Sequence, residues 1–385
     1  MTFGYGPALR FARSFMTGWV PVVEQEIHIE RDGRRLPASL LLPRAAARRG
    51  RVGRRRPIPA WVVLHGITRS GRDHPYLARF ARAVAATGQA ALVPEIPEWR
   101  EIRLSTEAAT STVAASLLAL EGRPELAGRK VGLVGFSFGA PQAIIAATDP
   151  ALAGRVAGVV AFGGYCSLEE STRFQFTGAH EIDGREESLA PDPYARWVVG
   201  ANYLTRIPDH QDAGGAAEAL RALAAHAGDN NLLATDPEME PVRRRLANGL
   251  DPAERTVFEV IAPATDTLPD PVRGGPVAEG LGEVMAAIPE LNPVPYLPRV
   301  NVPVRLMHGA ADQLFPYTQT IKLGRVFPAG ADVATTVTGL FAHASGRDRT
   351  SLFHTASEAL RFLNALASIF RLMQPGRFPR TSPRS

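Results

Sequence analysis

Cysteine and lysine are nearly absent from this chain of 385 residues: Cys166 stands alone, and Lys130 and Lys322 are the two lysines among 43 basic side chains. A single cysteine cannot close an internal disulfide. The fold must therefore rest on core packing, and a reducing, cytoplasmic setting is the expectation. No run of about 18 apolar residues occurs, so no membrane span is expected. The nine histidines are dispersed, with no H-E-x-x-H or paired spacing, so neither a metal nor a cofactor is expected. The N-terminal stretch has no uninterrupted apolar segment, and it does not read as a secretory signal.

The net charge of +5 suggests a nucleic-acid partner, but the arginines are scattered. They neither line one helix nor alternate with aromatics, so a nucleic-acid partner is excluded. The one dense cluster (Arg44, Arg48, Arg49, Arg51, Arg54, Arg55 and Arg56) lies in a Gly/Ala/Pro-rich connection and reads as a solvated loop. Near the N-terminus, Phe11, Phe15, Met16 and Trp19 stand beside Arg10 and Arg13. That mixture reads as a segment, 1–20, packed on the domain rather than spread on a membrane surface.

What is present is a regular alternation. Residues 24–30 and 36–42 read as two strands around the turn Asp32-Gly33. The apolar runs 60–64, 90–93, 131–136 and 156–162 read as strands covered on both faces. Helical patterns lie between them at 74–87, 105–120 (with Ser105 as N-cap) and 140–148. This is the signature of an α/β fold: a mostly parallel sheet with helices on both faces and an antiparallel hairpin at one edge. From 167 to 298 the rhythm stops. No buried strand is evident, and helical patterns at 194–204, 215–226, 242–250, 252–261 and 278–291 suggest an inserted helical cap. Strands then return at 303–307 and 333–337, with helices at 316–327 and 350–372. The expected division is a core of 21–166 and 299–373, a cap of 167–298, and a disordered tail of 374–385 rich in Pro, Arg and Ser.

The densest chemistry is in Val131 to Ala140, VGLVGFSFGA. A buried strand ends in Gly135-Phe136-Ser137-Phe138-Gly139 and turns at once into a helix. This is a G-x-S-x-G nucleophile elbow. A serine at such a turn sits in a strained backbone, and glycines two residues to either side relieve the crowding. The N-terminus of the following helix favours negative charge beside the serine.

A serine hydroxyl needs a base, and the base an orienting acid. Asp312, in HGAADQLFP just past a strand, is the acid candidate, because groups at the carboxyl ends of strands face the ligand crevice. His343, in LFAHASG after the last strand, is the base candidate. Its rival, His354, falls within the terminal helix pattern. The oxyanion donors are the N–H groups of Phe138 and Ile67, the latter in LHGITRSG, with Thr68 as a fallback. Glu95, Tyr165 and Cys166 also fall at the rim. Cys166 is not on an elbow and reads as a small buried group.

Together LHGITRSG, GFSFGA, HGAADQLFP and LFAHASG resemble the α/β-hydrolase superfamily, with carboxylesterase-like and dienelactone-hydrolase-like members the most similar. The resemblance implies a triad of Ser137, Asp312 and His343, and Ile67 and Phe138 as oxyanion donors. It also implies cleavage of a carboxylic ester through an acyl-enzyme, on a small-molecule substrate with a hydrophobic group and without a cofactor. Acyl transfer or peptide cleavage would use the same residues, and a ligand-binding protein on a hydrolase scaffold is the further alternative. The long insertion departs from the compact members. Serine replaces the cysteine that dienelactone hydrolases carry at the elbow.

Overall fold

The structure, a computed structural model, describes residues 5–18, 22–44, 57–265, 267–339 and 352–374. The chain opens with α1 (Tyr5–Thr17). Its Phe11 is buried between Phe80 and Phe370, with ring centroids 5.3 and 5.7 Å away. The segment therefore packs on the domain through Phe11, while Met16 faces solvent and Trp19 lies outside the described residues. The hairpin follows as β1 (Val22–Arg31) and β2 (Arg34–Pro43). Asp32 and Gly33 both take positive φ, 51° and 72°, as a two-residue hairpin turn of this kind requires. Most of the arginine cluster, from Arg48 to Arg56, lies outside the described residues.

The alternating region then runs β3 (Ala60–Leu64), α2 (Pro75–Ala86), β4 (Ala90–Pro94), α3 (Glu107–Glu121), β5 (Val131–Phe136), α4 (Gly139–Ala146) and β6 (Val156–Phe162). The expected Ser105 cap is corrected: α3 starts at Glu107, behind Thr106, and neither side chain caps it. The Ser105 backbone is already engaged. Its N–H donates to Arg103 and its carbonyl accepts from the Trp99 indole.

Between β6 and the next long strand the chain is largely helical: α5 (Leu168–Thr177), α6 (Tyr194–Tyr203), α7 (Gly214–Asp229), α8 (Met239–Asn248), α9 (Pro252–Ile261) and α10 (Pro271–Ala286). Asp251 and Asp270 cap α9 and α10 through their carboxylates. The sequence reading placed the start of α10 too late, at 278. A small hairpin, β7 (Ala179–Ile182) and β8 (Arg185–Ser188), also interrupts this segment and was not expected. Arg196, buried in α6, donates to the carbonyls of Gln175, Ile261 and Thr267 and so ties three parts of the segment together.

The long strands resume with β9 (Val304–Gly309), followed by α11 (Tyr317–Arg325), β10 (Val333–Thr338) and α12 (Leu352–Arg371). The sheet order is β1-β2-β4-β3-β5-β6-β9-β10. It is parallel from β4 to β10, and the hairpin adds an antiparallel edge. β3, β4, β5 and β6 are buried almost end to end, because helices cover both faces. Phe136, Phe162 and Met307 lie in register across β5, β6 and β9. β5 and β6 end at Phe136 and Phe162, and β9 ends two residues past Met307, so all three leave the sheet at one carboxyl edge, where ligands of open α/β sheets collect.

Candidate active site

Ser137 follows the last residue of β5 with φ of 51°. For a residue with a side chain this left-handed backbone is strained by about 1–2 kcal/mol. The surroundings hold it there: the Ser137 N–H donates to the Phe162 carbonyl at 2.8 Å, and its carbonyl accepts from Ala140 at 2.9 Å as α4 begins. The flanking glycines are needed for close approach. A Cβ on Gly135 would collide with the carbonyl of Gly139, and one on Gly139 would lie 2.7 Å from the carbonyl of His65.

The loop after β3 presses directly on this turn. A Cβ on Gly66 would stand 3.1 Å from the Ser137 Cβ and 3.6 Å from its Oγ. His65 is buried beneath the loop, and its Nδ1 lies 2.7 Å from the Gly66 carbonyl. A carbonyl only accepts, so Nδ1 carries the proton, and Nε2 accepts from the Ile96 N–H at 3.2 Å. The peptide that ends in the Ile67 N–H is thereby held by an imidazole. His65 packs edge-on to Trp99, which packs edge-on to Phe138. One aromatic stack thus backs both oxyanion candidates, Ile67 and Phe138.

Glu95 is buried behind the same loop rather than lining a pocket. Its carboxylate lies 3.5 Å from His65 Nε2, 3.4 Å from Arg100 and 3.8 Å from Arg72. Burial raises its pKa, but the groups around it, the Arg100 and Arg72 guanidinium groups among them, outweigh that and hold the carboxyl below its ordinary value.

Asp312 lies in the turn past β9 and is buried. Its Oδ1 accepts from the N–H groups of Leu314 and Phe315 at 2.9 and 3.1 Å. Its Oδ2 lies 3.2 Å from Nε2 of His308, which is also buried. Nothing in the sequence had marked His308 for a role. Its spacing of four residues from Asp312 across a turn was the available signal. His308 Nε2 is also 2.9 Å from the Phe315 carbonyl, and Nδ1 is 2.6 Å from Thr320 Oγ1. Both groups facing Nε2 are acceptors, so Nε2 carries a proton and donates to the Phe315 carbonyl, with the Asp312 carboxylate beside it. Ser137 and Asp312 leave the sheet from β5 and β9, two strand spacings or about 10 Å apart.

The base candidate, His343, lies outside the described residues; β10 ends at Thr338, beside Gly309 at the same sheet edge. His354 falls in the first turn of α12. Tyr165 is fully buried against Phe315 rather than exposed at the rim. Cys166 is partly buried, and its N–H donates to the Gln319 amide oxygen. Among the described residues no group of three metal-ligating side chains occurs, and no helix is long and apolar enough to cross a membrane.

No protein-family model matches the chain, and no curated protein matches it. Solved structures do. The acylaminoacyl peptidase of Pyrococcus horikoshii superposes with a TM-score of 0.51 at 11% identity, over 94% of this chain and 44% of that one. This chain thus spans less than half the length of that relative. The esterase Pf2001 of Pyrococcus furiosus aligns with a TM-score of 0.48 at 12% identity, over 92% of this chain and 97% of that one. Est1E from Butyrivibrio proteoclasticus aligns with a TM-score of 0.45 at 13% identity, over 90% and 98% of the two chains.

Proposed function

We propose, from the premise that this chain has the α/β-hydrolase fold, that it is a serine hydrolase cleaving a carboxylic ester. The observation that carries the reading is Ser137 at positive φ with the glycine loop of His65 and Gly66 against its hydroxyl. A strained backbone persists only where the surroundings over-determine it, and such sites cluster where chemistry is done.

In this reading Ser137 Oγ attacks the ester carbonyl carbon, and His343 takes the hydroxyl proton. The carbonyl π pair moves onto oxygen, where the N–H groups of Ile67 and Phe138 receive the negative charge. The intermediate collapses, His343 returns the proton to the departing alcohol, and the acyl group remains on Ser137. Water then attacks the acyl-enzyme by the same sequence, releasing the acid. Asp312 holds the imidazole in the productive tautomer. The backbone donors on its Oδ1 and the His308 donor near its Oδ2 support the ionised form. Segment 167–298 serves as a cap, and its apolar helices favour an ester with a hydrophobic acyl or alcohol group.

The test is hydrolysis of short p-nitrophenyl esters by the wild-type protein and Ser137→Ala, with mapping of a fluorophosphonate adduct. The expected result is an adduct on Ser137 and a fall in rate of at least about 10⁴-fold. Equal rates in the two proteins would remove the reading.

A further inference from the structure

Two residues of the helical insertion, Asp192 and Tyr194, make contact on opposite sides of the candidate site. The Asp192 N–H donates to the carbonyl of Gln313, in the turn that carries Asp312, at 2.9 Å. The Tyr194 hydroxyl donates to the carbonyl of Ile67, in the oxyanion loop, at 3.1 Å. The Asp192 carboxylate accepts from the Tyr194 N–H at 2.9 Å, so the link between the two contacts is itself braced. Residues 192–194 thus form a strap from the acid turn to the oxyanion loop.

Neighbouring contacts hold both ends. On the acid side, the Gln175 amide of α5 donates to the carbonyls of Gln313 and Leu314. On the oxyanion side, Arg69 pairs with Asp229 at the end of α7 at 2.9 Å. There Gly228 lies so near that a Cβ on it would stand 2.8 Å from the Arg69 side chain. Arg69 and Arg100 donate to each other's carbonyls. The adjoining Ile102 carbonyl accepts from Asn202 of α6 and Arg221 of α7. The insertion therefore grips the oxyanion loop directly and also through the neighbouring 100–104 loop.

Ile67 is consequently fixed at both of its peptides. His65, from the core, holds the Gly66 carbonyl on the N–H side. Tyr194, from the insertion, holds the Ile67 carbonyl on the other. We propose that Tyr194 is a positioning residue that makes the oxyanion hole depend on the seating of the insertion, so that the same segment that covers the site also assembles it. A displaced insertion would leave Ser137 in place on its elbow but release one oxyanion donor and loosen the Asp312 turn. The proposal rests on the serine-hydrolase reading above.

The experiment compares wild type, Tyr194→Phe, Asp229→Asn and Ser137→Ala on one p-nitrophenyl ester and on an alkyl trifluoromethyl ketone. The ketone carbon bonds to Ser137 Oγ, the serine proton passes to the base, and the carbonyl pair becomes an oxyanion, so its affinity reports the hole directly. Tyr194→Phe is expected to lower kcat about tenfold, to hold KM within about twofold, and to weaken the ketone by the same factor as kcat/KM. Asp229→Asn, an exposed change that preserves the fold if the Tyr194 variant does not, is expected to act in the same direction by about threefold. Rates and ketone affinities within about twofold of wild type in both variants overturn the proposal, as does a fall in kcat that the ketone does not follow. Ser137→Ala turning over at the wild-type rate would instead remove the hydrolase reading itself, and the two failures are thereby distinct.

Discussion

His308 Nε2 lies 3.2 Å from Oδ2 of Asp312, and neither side chain reaches solvent. The groups around Nε2 place a proton on it, and that N–H donates to the Phe315 carbonyl while lying beside the carboxylate that is proposed to orient the base. The Leu314 and Phe315 N–H groups hold the carboxylate, and the His308 N–H dipole beside Oδ2 draws on its negative charge. His308→Leu should therefore make Asp312 a stronger partner for an imidazolium, and the acid limb of the kcat/KM profile should move to higher pH. The Phe315 carbonyl loses a buried donor, so stability should fall by about 1–3 kcal/mol. Thermal unfolding and a pH–rate profile measure both effects. An unmoved acid limb would assign His308 to packing alone.

The elbow makes opposite demands at Gly135 and Ser137, two residues apart. Gly135 is pressed against the carbonyl of Gly139, which is backbone and cannot yield. Gly135→Ala is expected to cost more than about 3 kcal/mol or to abolish soluble expression. Ser137 carries the reverse strain, since its φ of 51° suits glycine better than serine. Ser137→Gly should thus lose turnover while its melting temperature stays at or above that of the wild type. A marked fall in melting temperature for Ser137→Gly would argue that the hydroxyl is structural.

The elbow was legible in sequence because its chemistry is local: an apolar run, two glycines and a serine specify the turn among themselves. Asp312 was legible through its place past a strand end. The β7–β8 hairpin was missed although its Asp183-Gly184 turn, at φ 53° and 71°, repeats the chemistry of Asp32-Gly33. Its strands are short and largely exposed, so no apolar alternation announces them. His308 was passed over because a histidine in a buried strand reads as core, and what it meets past the turn depends on the tertiary fold. Tyr194 bonds a residue 127 positions away, a pairing for which no local pattern exists.

Stability should depend on pH through Glu95. Burial acts to raise its pKa, and the groups around it, the Arg100 and Arg72 guanidinium groups among them, more than offset that, so the folded value lies below the unfolded one. A carboxylate with a depressed pKa contributes stability that is fully present above its unfolded value, near 4.5, and is lost as pH falls through the folded value. Glu95→Gln should be less stable than wild type at pH 7 by about 1–3 kcal/mol, with the gap closing under acid. Urea unfolding at the two pH values measures it. A constant gap would show that shape rather than charge explains the loss.

Cys166 provides the test of which side chain is the nucleophile. Burial, with Glu170 adding to it and Lys322 opposing, pushes its thiol from an ordinary 9.0 up to about 11. The thiolate is the reactive form, so at pH 8 the native protein should hold roughly a hundredfold less of it than an unperturbed cysteine would. Cys166 lies one residue before Ser167, the N-cap of α5, but it is not on an elbow, and its burial disfavours the thiolate. Reaction with a disulfide reagent should accordingly be slow in the native state and fast once urea exposes the chain. Cys166→Ala should retain ester turnover while Ser137→Ala loses it. A native thiol that reacts as fast as the unfolded one, in a protein whose turnover stops as the thiol is consumed, would place the nucleophile at Cys166 and leave the strained serine without its role.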